Sequence, residues 1–172
     1  TGVNRGSRIG FKGTESLGNG MKALYLVETG VAGTLGSRLS YVGLAGDFGT
    51  VTVGTQYRPY KLSTAKLDIF ADTAADHNEI ISNGYDGNNY ESAVNAVAYI
   101  SPKFSGAQFA IARNSTNAAE ASGDEETETL SLSGTYSAGP LYVGFGYENQ
   151  VSPNGATGLE VDAMKIGVGY AI

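Results

Sequence analysis

His77 is the single histidine of the chain and there is no cysteine, so the side chains that usually carry acid–base, thiol, zinc or iron–sulfur chemistry are nearly absent. It stands in Ala-Asp-His-Asn-Glu with no second histidine or cysteine to join it, and reads as a solvated loop residue rather than a general base or metal ligand. No nucleophile elbow, phosphate-binding glycine loop or paired-carboxylate motif is present, and Asn114-Ser-Thr matches only a glycosylation pattern. The charged residues are more informative. Arg8, Lys12, Lys22 and Arg38 share the polar face of segments whose polarity alternates, a placement that suits electrostatics rather than covalent chemistry.

The elements that hold these charges follow from the period of the hydrophobic pattern. Leu130, Leu132, Gly134 and Tyr136 oppose Thr129, Ser131, Ser133 and Thr135. Leu141, Val143, Phe145 and Tyr147 oppose Tyr142, Gly144, Gly146 and Glu148, and Met164, Ile166, Val168 and Tyr170 oppose Lys165, Gly167 and Gly169. Earlier, Ile9 and Phe11 oppose Arg8, Gly10 and Lys12, while Met21, Tyr25 and Val27 oppose Lys22, Leu24 and Glu28. A period of two is the strand signature. It predicts about nine strands near residues 7–13, 20–28, 37–45, 50–58, 93–101, 107–114, 127–136, 141–149 and 159–172, with no intervening helix. The connections at 14–19, 46–49, 102–107 and 137–140 are short, and those at 29–36, 59–92, 115–126 and 150–158 are longer. Short turns on one rim and long loops on the other are the layout of an outer-membrane barrel.

Composition limits what surrounds this sheet. Charged residues make up 16% of the 172 residues, well below the roughly 25% of ordinary soluble domains. Eleven basic against 17 acidic residues give a net charge of -6, which excludes the basic stripe of a nucleic-acid binder. No apolar run reaches the length of a membrane-spanning helix. Three architectures share the alternation: a soluble β-sandwich or lipocalin-like binder, a small outer-membrane barrel with a structural or adhesive role, and a larger barrel around an aqueous lumen. The sandwich requires Leu132, Phe145 and Val168 to be buried. Repeated glycines on the polar face favour a lumen, because glycine packs nothing on a solvated sheet surface.

The run from Ser7 through Glu28, opening Ser-Arg-Ile-Gly-Phe-Lys-Gly, resembles the second and third strands of the trimeric general-diffusion porins of Gram-negative outer membranes. Ser37 through Gly54 is similar to that family's next hairpin, and Tyr99-Ile-Ser-Pro-Lys-Phe-Ser-Gly106 to the turn after its long constriction loop. The resemblance implies an all-β antiparallel transmembrane barrel of roughly 16 strands, located in the outer membrane and assembled as a homotrimer. It implies contact with lipid and lipopolysaccharide, passive passage of small hydrophilic solutes and ions, no turnover and no cofactor.

The resemblance also implies an inward-folded loop, here 58–92, within a single barrel domain spanning 1–172. A structureless connection of that length is usually functional or disordered. Basic residues of the wall then face acidic residues of the loop across the narrowest section. Arg8 and Arg38 match family wall arginines, with Lys12, Lys22 and Arg58 inward by parity; the loop acids are Asp68, Asp72, Asp76 and Glu79. A short helix in 66–76 would set Asp68 and Asp72 on one face. Where relatives often carry further arginines this chain has Thr52, Thr55 and Ser92, so its basic wall is thinner. The acidic run Asp124-Glu125-Glu126 with Glu128 reads as a solvated loop, or as a calcium bridge to lipopolysaccharide phosphates at the outer rim.

An odd strand count, a family pattern that places a strand before Thr1 and the lack of a terminal aromatic at Ile172 point to part of a longer protein. The expected remainder is roughly one strand in front and about six behind.

Overall fold

The computed structural model describes residues 6–31, 35–73, 76, 94–116, 127–152 and 158–172. Nine strands follow in chain order: β1 (Arg8–Gly18), β2 (Met21–Val31), β3 (Leu35–Gly46), β4 (Gly49–Gln56), β5 (Val94–Ile100), β6 (Ala107–Thr116), β7 (Thr127–Ala138), β8 (Leu141–Val151) and β9 (Glu160–Tyr170). Each pairs antiparallel with the next, giving one sheet in sequence order from β1 to β9. Among the described residues β1 and β9 do not pair, so these strands form an open sheet rather than a small closed barrel. The helical pieces, α1 (Pro59–Leu62) and a 3-10 turn (Ala65–Leu67), follow β4.

The turns are tighter than the polarity pattern suggests. The connection expected over 14–19 is only Asn19 and Gly20, because both adopt positive φ, 50° and 77°, as a two-residue hairpin of matching twist requires. Strand β1 therefore continues to Gly18, with Leu17 as the extra residue where its register against β2 shifts between Ser16 and Gly18. The other rim keeps the longer connections, with β2 ending at Val31 and β3 starting at Leu35.

The sheet is inside out relative to a soluble protein. On one face Phe11 is 74% exposed, Ile166 72%, Val168 65% and Phe145 43%. On the other, Thr52, Gln56, Asn114, Ser131, Glu148 and Gln150 are buried. Water would drive the opposite arrangement, and the exposure of Phe145 and Val168 rules out the sandwich reading. Along the outer face the chemistry is banded. Phe48, Phe104, Phe109, Tyr136 and Tyr170 stand exposed toward the short-turn rim. Toward the long-loop rim Arg113 pairs with Glu128 at 2.7 Å, and Tyr147 donates to Asp162 at 2.6 Å. An apolar band with aromatics at its edge and polar groups beyond it suits a hydrocarbon layer and its interfaces.

This banding predicts the effect of a charge within it. In the full-length protein, Ile166→Lys should cost about 2–4 kcal/mol, read as a lower urea midpoint in lipid vesicles; an unchanged midpoint would place this face out of contact with lipid.

Candidate functional site

Beyond Gln56 the chain leaves the sheet and crosses its polar face. Arg58 is extended, φ -75° and ψ 150°, as a residue before proline prefers. Pro59 then starts α1 with its preset φ at a position that needs no donor. The Ser63 hydroxyl donates to the Tyr60 carbonyl at 2.7 Å and helps end the turn.

Three contacts hold this segment to β7 and β8. The Tyr60 amide donates to Ser131 Oγ at 2.9 Å, and the Tyr142 hydroxyl donates to the Ser63 carbonyl at 2.7 Å. Arg58 Nη1 lies 2.9 Å from Glu148 Oε1, which also accepts from Gln150 Nε2 at 2.7 Å. Both members of this ion pair are enclosed, Arg58 at 4% exposure and Glu148 at 0%. Glycines make the approach possible. A Cβ on Gly144 would collide with the Ser63 carbonyl oxygen, and one on Gly146 would come within 2.6 Å of Ser63 Oγ. On β9, Cβ atoms at Gly167 and Gly169 would each meet Leu67 at 2.5 Å. The polar-face glycines are therefore the track on which the segment rests.

The segment's far part meets β1–β3. Arg8 grips Asp72 with both terminal nitrogens, Nη1 to Oδ1 at 3.2 Å and Nη2 to Oδ2 at 3.0 Å. Arg38 Nε donates to Glu28 Oε1 at 2.6 Å, and its Nη2 donates to the Tyr57 hydroxyl. Arg8 Nε lies 3.9 Å from Glu28 Oε2, and Lys61 Nζ sits 3.8 Å over the Tyr57 ring. Arg38 reaches this cluster through a bulge. Strict alternation from Val42 and Ser40 would turn it outward, but the pairing steps from Glu28↔Leu39 to Thr29↔Ser37 and leaves Arg38 as the extra residue. Bulges of this kind re-aim a side chain.

Of the residues expected from sequence, the structure thus brings together Arg8, Arg38 and Asp72. Lys12 and Lys22 are exposed on β1 and β2, without an ion pair among the described residues. Arg58 is buried against Glu148 and does not face open space. Asp68 accepts the Phe70 amide at 2.9 Å, and Asp76 accepts the Asp72 amide at 3.0 Å, so both shape the chain locally. The helix expected within 66–76 is absent as a unit: Asp68 is extended, and Asp72 has a φ of 62°. Asp68 and Asp72 consequently do not share a helix face. Glu79, His77, Asp124, Glu125 and Glu126 lie outside the described residues, while Glu128 is on the outer face with Arg113.

Glu28, Glu148, Tyr57, Tyr60 and Lys61 escaped selection from the sequence. For the two glutamates a signal existed: each occupies a polar-face position in an alternating strand, where an inward carboxylate calls for a cation. Glu148 also follows Gly144 and Gly146 on its face, the gap that Ser63 and Tyr60 occupy beside Arg58.

A family model described as Gram-negative porin matches residues 1–172. The chain belongs to the Gram-negative porin family. Porins are non-enzymatic proteins of the bacterial outer membrane. This porin chain is 33% identical over 170 residues to the major outer membrane protein P.IB of Neisseria gonorrhoeae, covering 96% of itself and 37% of that protein. It is 31% identical over 176 residues to P.IB of a Neisseria meningitidis serogroup B strain, covering 95% of itself and 48% of that protein. The chain therefore spans less than half the length of these relatives. An anion-selective porin from Comamonas acidovorans superposes with a TM-score of 0.73 at 24% identity, over 98% of this chain and 54% of that one, which shows the fold.

The enclosed ion pair yields a test. Removing one partner of a buried pair strands the other charge at a cost of about 3–5 kcal/mol. Glu148→Ala in the full-length porin should lower the thermal midpoint and speed proteolysis near Arg58; wild-type values for both would show that the pair does not hold the segment.

Proposed function

We propose that the protein forms a water-filled outer-membrane channel for passive diffusion of small hydrophilic solutes and ions, narrowed by the segment 58–92 and assembled as a homotrimer bordered by lipid and lipopolysaccharide. The observation that carries this reading is the crossing of the polar face by a segment whose Asp72 meets Arg8 of β1. A chain that only stiffened a wall would have no need to bring opposite charges together over a face lined by Lys12 and Lys22.

The selectivity mechanism is electrostatic. Arg8, Arg38 and Lys61 gather with Asp72 and Glu28 where the segment meets the wall, so water and solutes that pass feel the field of this cluster. The Arg8 and Asp72 side chains are 39% and 48% exposed. An ion pair this wet is worth only about 0–1 kcal/mol, so a passing ion can exchange with either member. Arg38 is held more firmly, between Glu28 and Tyr57, and keeps its orientation. Arg58 serves a different part of the mechanism. Neutralised by Glu148, it fixes the segment instead of attracting solutes.

Asp72→Asn in the full-length protein removes the carboxylate and leaves Arg8 with only the longer, 3.9 Å contact to Glu28, which Arg38 shares. Across a potassium chloride gradient the reversal potential should move toward chloride, by roughly twofold in permeability ratio if the pair is worth about 0.5 kcal/mol. Asp68→Asn added to it should contribute less, because Asp68 is engaged with the Phe70 amide. Reversal potentials equal to wild type would place both acids away from the narrowest section. A channel of this kind should also give large, stable conductance steps in planar bilayers, and a monomeric native mass in detergent would overturn the trimer.

A further inference from the structure

Beneath α1, toward the short-turn rim, the segment and the polar face of the sheet enclose a cavity of about 340 Å³. Its composition departs from the wetted wall around it. Leu39, Leu62, Ala98 and Ile100 supply apolar surface, Lys66 and Lys103 supply charge, and among the described residues no carboxylate takes part in the lining. In a chain with a net charge of -6, a cavity with two ammonium groups and no acid has a distinct sign. Among the described residues neither lysine has an ion-pair partner, and Lys66 Nζ lies 5.2 Å from the Tyr142 ring centroid.

Both side-chain amides of the lining and several of its hydroxyls are engaged within the protein, and Tyr41, Ser133, Thr135 and Ser137 add further hydroxyls to the wall. Thr52 Oγ1 donates to Gln56 Oε1 at 2.6 Å, and Gln56 Nε2 donates to the Ala96 carbonyl at 2.9 Å. Gln108 Nε2 donates to the Ser101 carbonyl at 2.9 Å, and the Tyr142 hydroxyl is taken by the Ser63 carbonyl. A visiting molecule therefore meets hydrocarbon, two ammonium groups and a few hydroxyls, with the side-chain amides of Gln56 and Gln108 already engaged. Concave, mostly apolar lining with a few polar groups to fix orientation is the general form of a small-molecule site.

We infer that this cavity is a transit site for small organic anions with an apolar body, such as aromatic or branched monocarboxylates. The carboxylate is held by Lys66 and Lys103 and the body rests against Leu39, Leu62 and Ile100. Inorganic anions gain nothing from the apolar surface, and organic cations of the same shape are repelled by the lysines. The inference rests on the channel reading and adds a class of solute to it.

The test uses the full-length protein in planar bilayers carrying chloride current, with benzoate, acetate or benzylammonium added to one side. Benzoate should half-block at a concentration about tenfold below acetate, with benzylammonium ineffective in that range. Lys66→Gln with Lys103→Gln should bring benzoate to the acetate level, and so should Leu62→Ser, which keeps both lysines. Equal half-blocking by benzoate and acetate, block by benzylammonium as strong as by benzoate, or benzoate block that persists in both variants overturns the site. Absence of chloride conductance sinks the channel reading and the site with it, whereas intact chloride conductance indifferent to benzoate sinks the site alone.

Discussion

Hydrocarbon offers no hydrogen bonds, and every other feature of this protein is arranged around that fact. A backbone amide or carbonyl left unpaired in a bilayer costs several kcal/mol, so the crossing segments are strands that pair with neighbours through continuous registers such as Leu141↔Tyr170 to Val151↔Glu160. The same constraint inverts the side chains. Valine, isoleucine and phenylalanine look outward, and threonine, serine and glutamine are enclosed, because the polar environment lies on the inner side of the sheet.

Inversion creates a second problem, which is how to fix a crossing segment over a face that has few hydrophobic residues with which to grip it. The solution combines space with charge. Gly144, Gly146, Gly167 and Gly169 let backbone and side chains approach the sheet closely, and the Arg58–Glu148 pair supplies a strong, directional contact in a place water does not reach. At the other end the same segment meets Arg8 through a wetter, weaker pair. One end of the crossing is thus enclosed and firmly set, and the other is open to water. That division lets a single segment be both a fixed part of the wall and a charged surface.

The strands were legible because alternation over eight or more residues has one structural reading, and all nine appear where the pattern places them. Their ends were less so, since Asn19 and Gly20 turn the chain in two residues while polarity alone spread the turn over six. Charged positions split the same way. Arg8 was readable by parity, but the inward aim of Arg38 depends on a bulge that no alternation rule contains. Asp68 and Asp72 look like helical neighbours in sequence, yet side chain to backbone bonds from Asp68 and Asp76 shape that stretch instead. Glu148 was legible as an inward carboxylate that calls for a cation, but which cation was not, because Arg58 lies 90 positions earlier and only the folded sheet brings it there.

That separation bears on the order in which the structure assembles. Each strand pairs with the one next to it in sequence, so the sheet can lengthen hairpin by hairpin with closures that are local and entropically cheap, apart from that of β4 with β5 across the long segment between them. Arg58 and Tyr60 are different: their landing points, Glu148 and Ser131, belong to strands made long after them. The part of the crossing segment at Arg58 and Tyr60 must therefore wait for β7 and β8, even though Asp72 has its partner Arg8 on β1 from the start, and its docking marks the moment at which a growing ribbon acquires an inside.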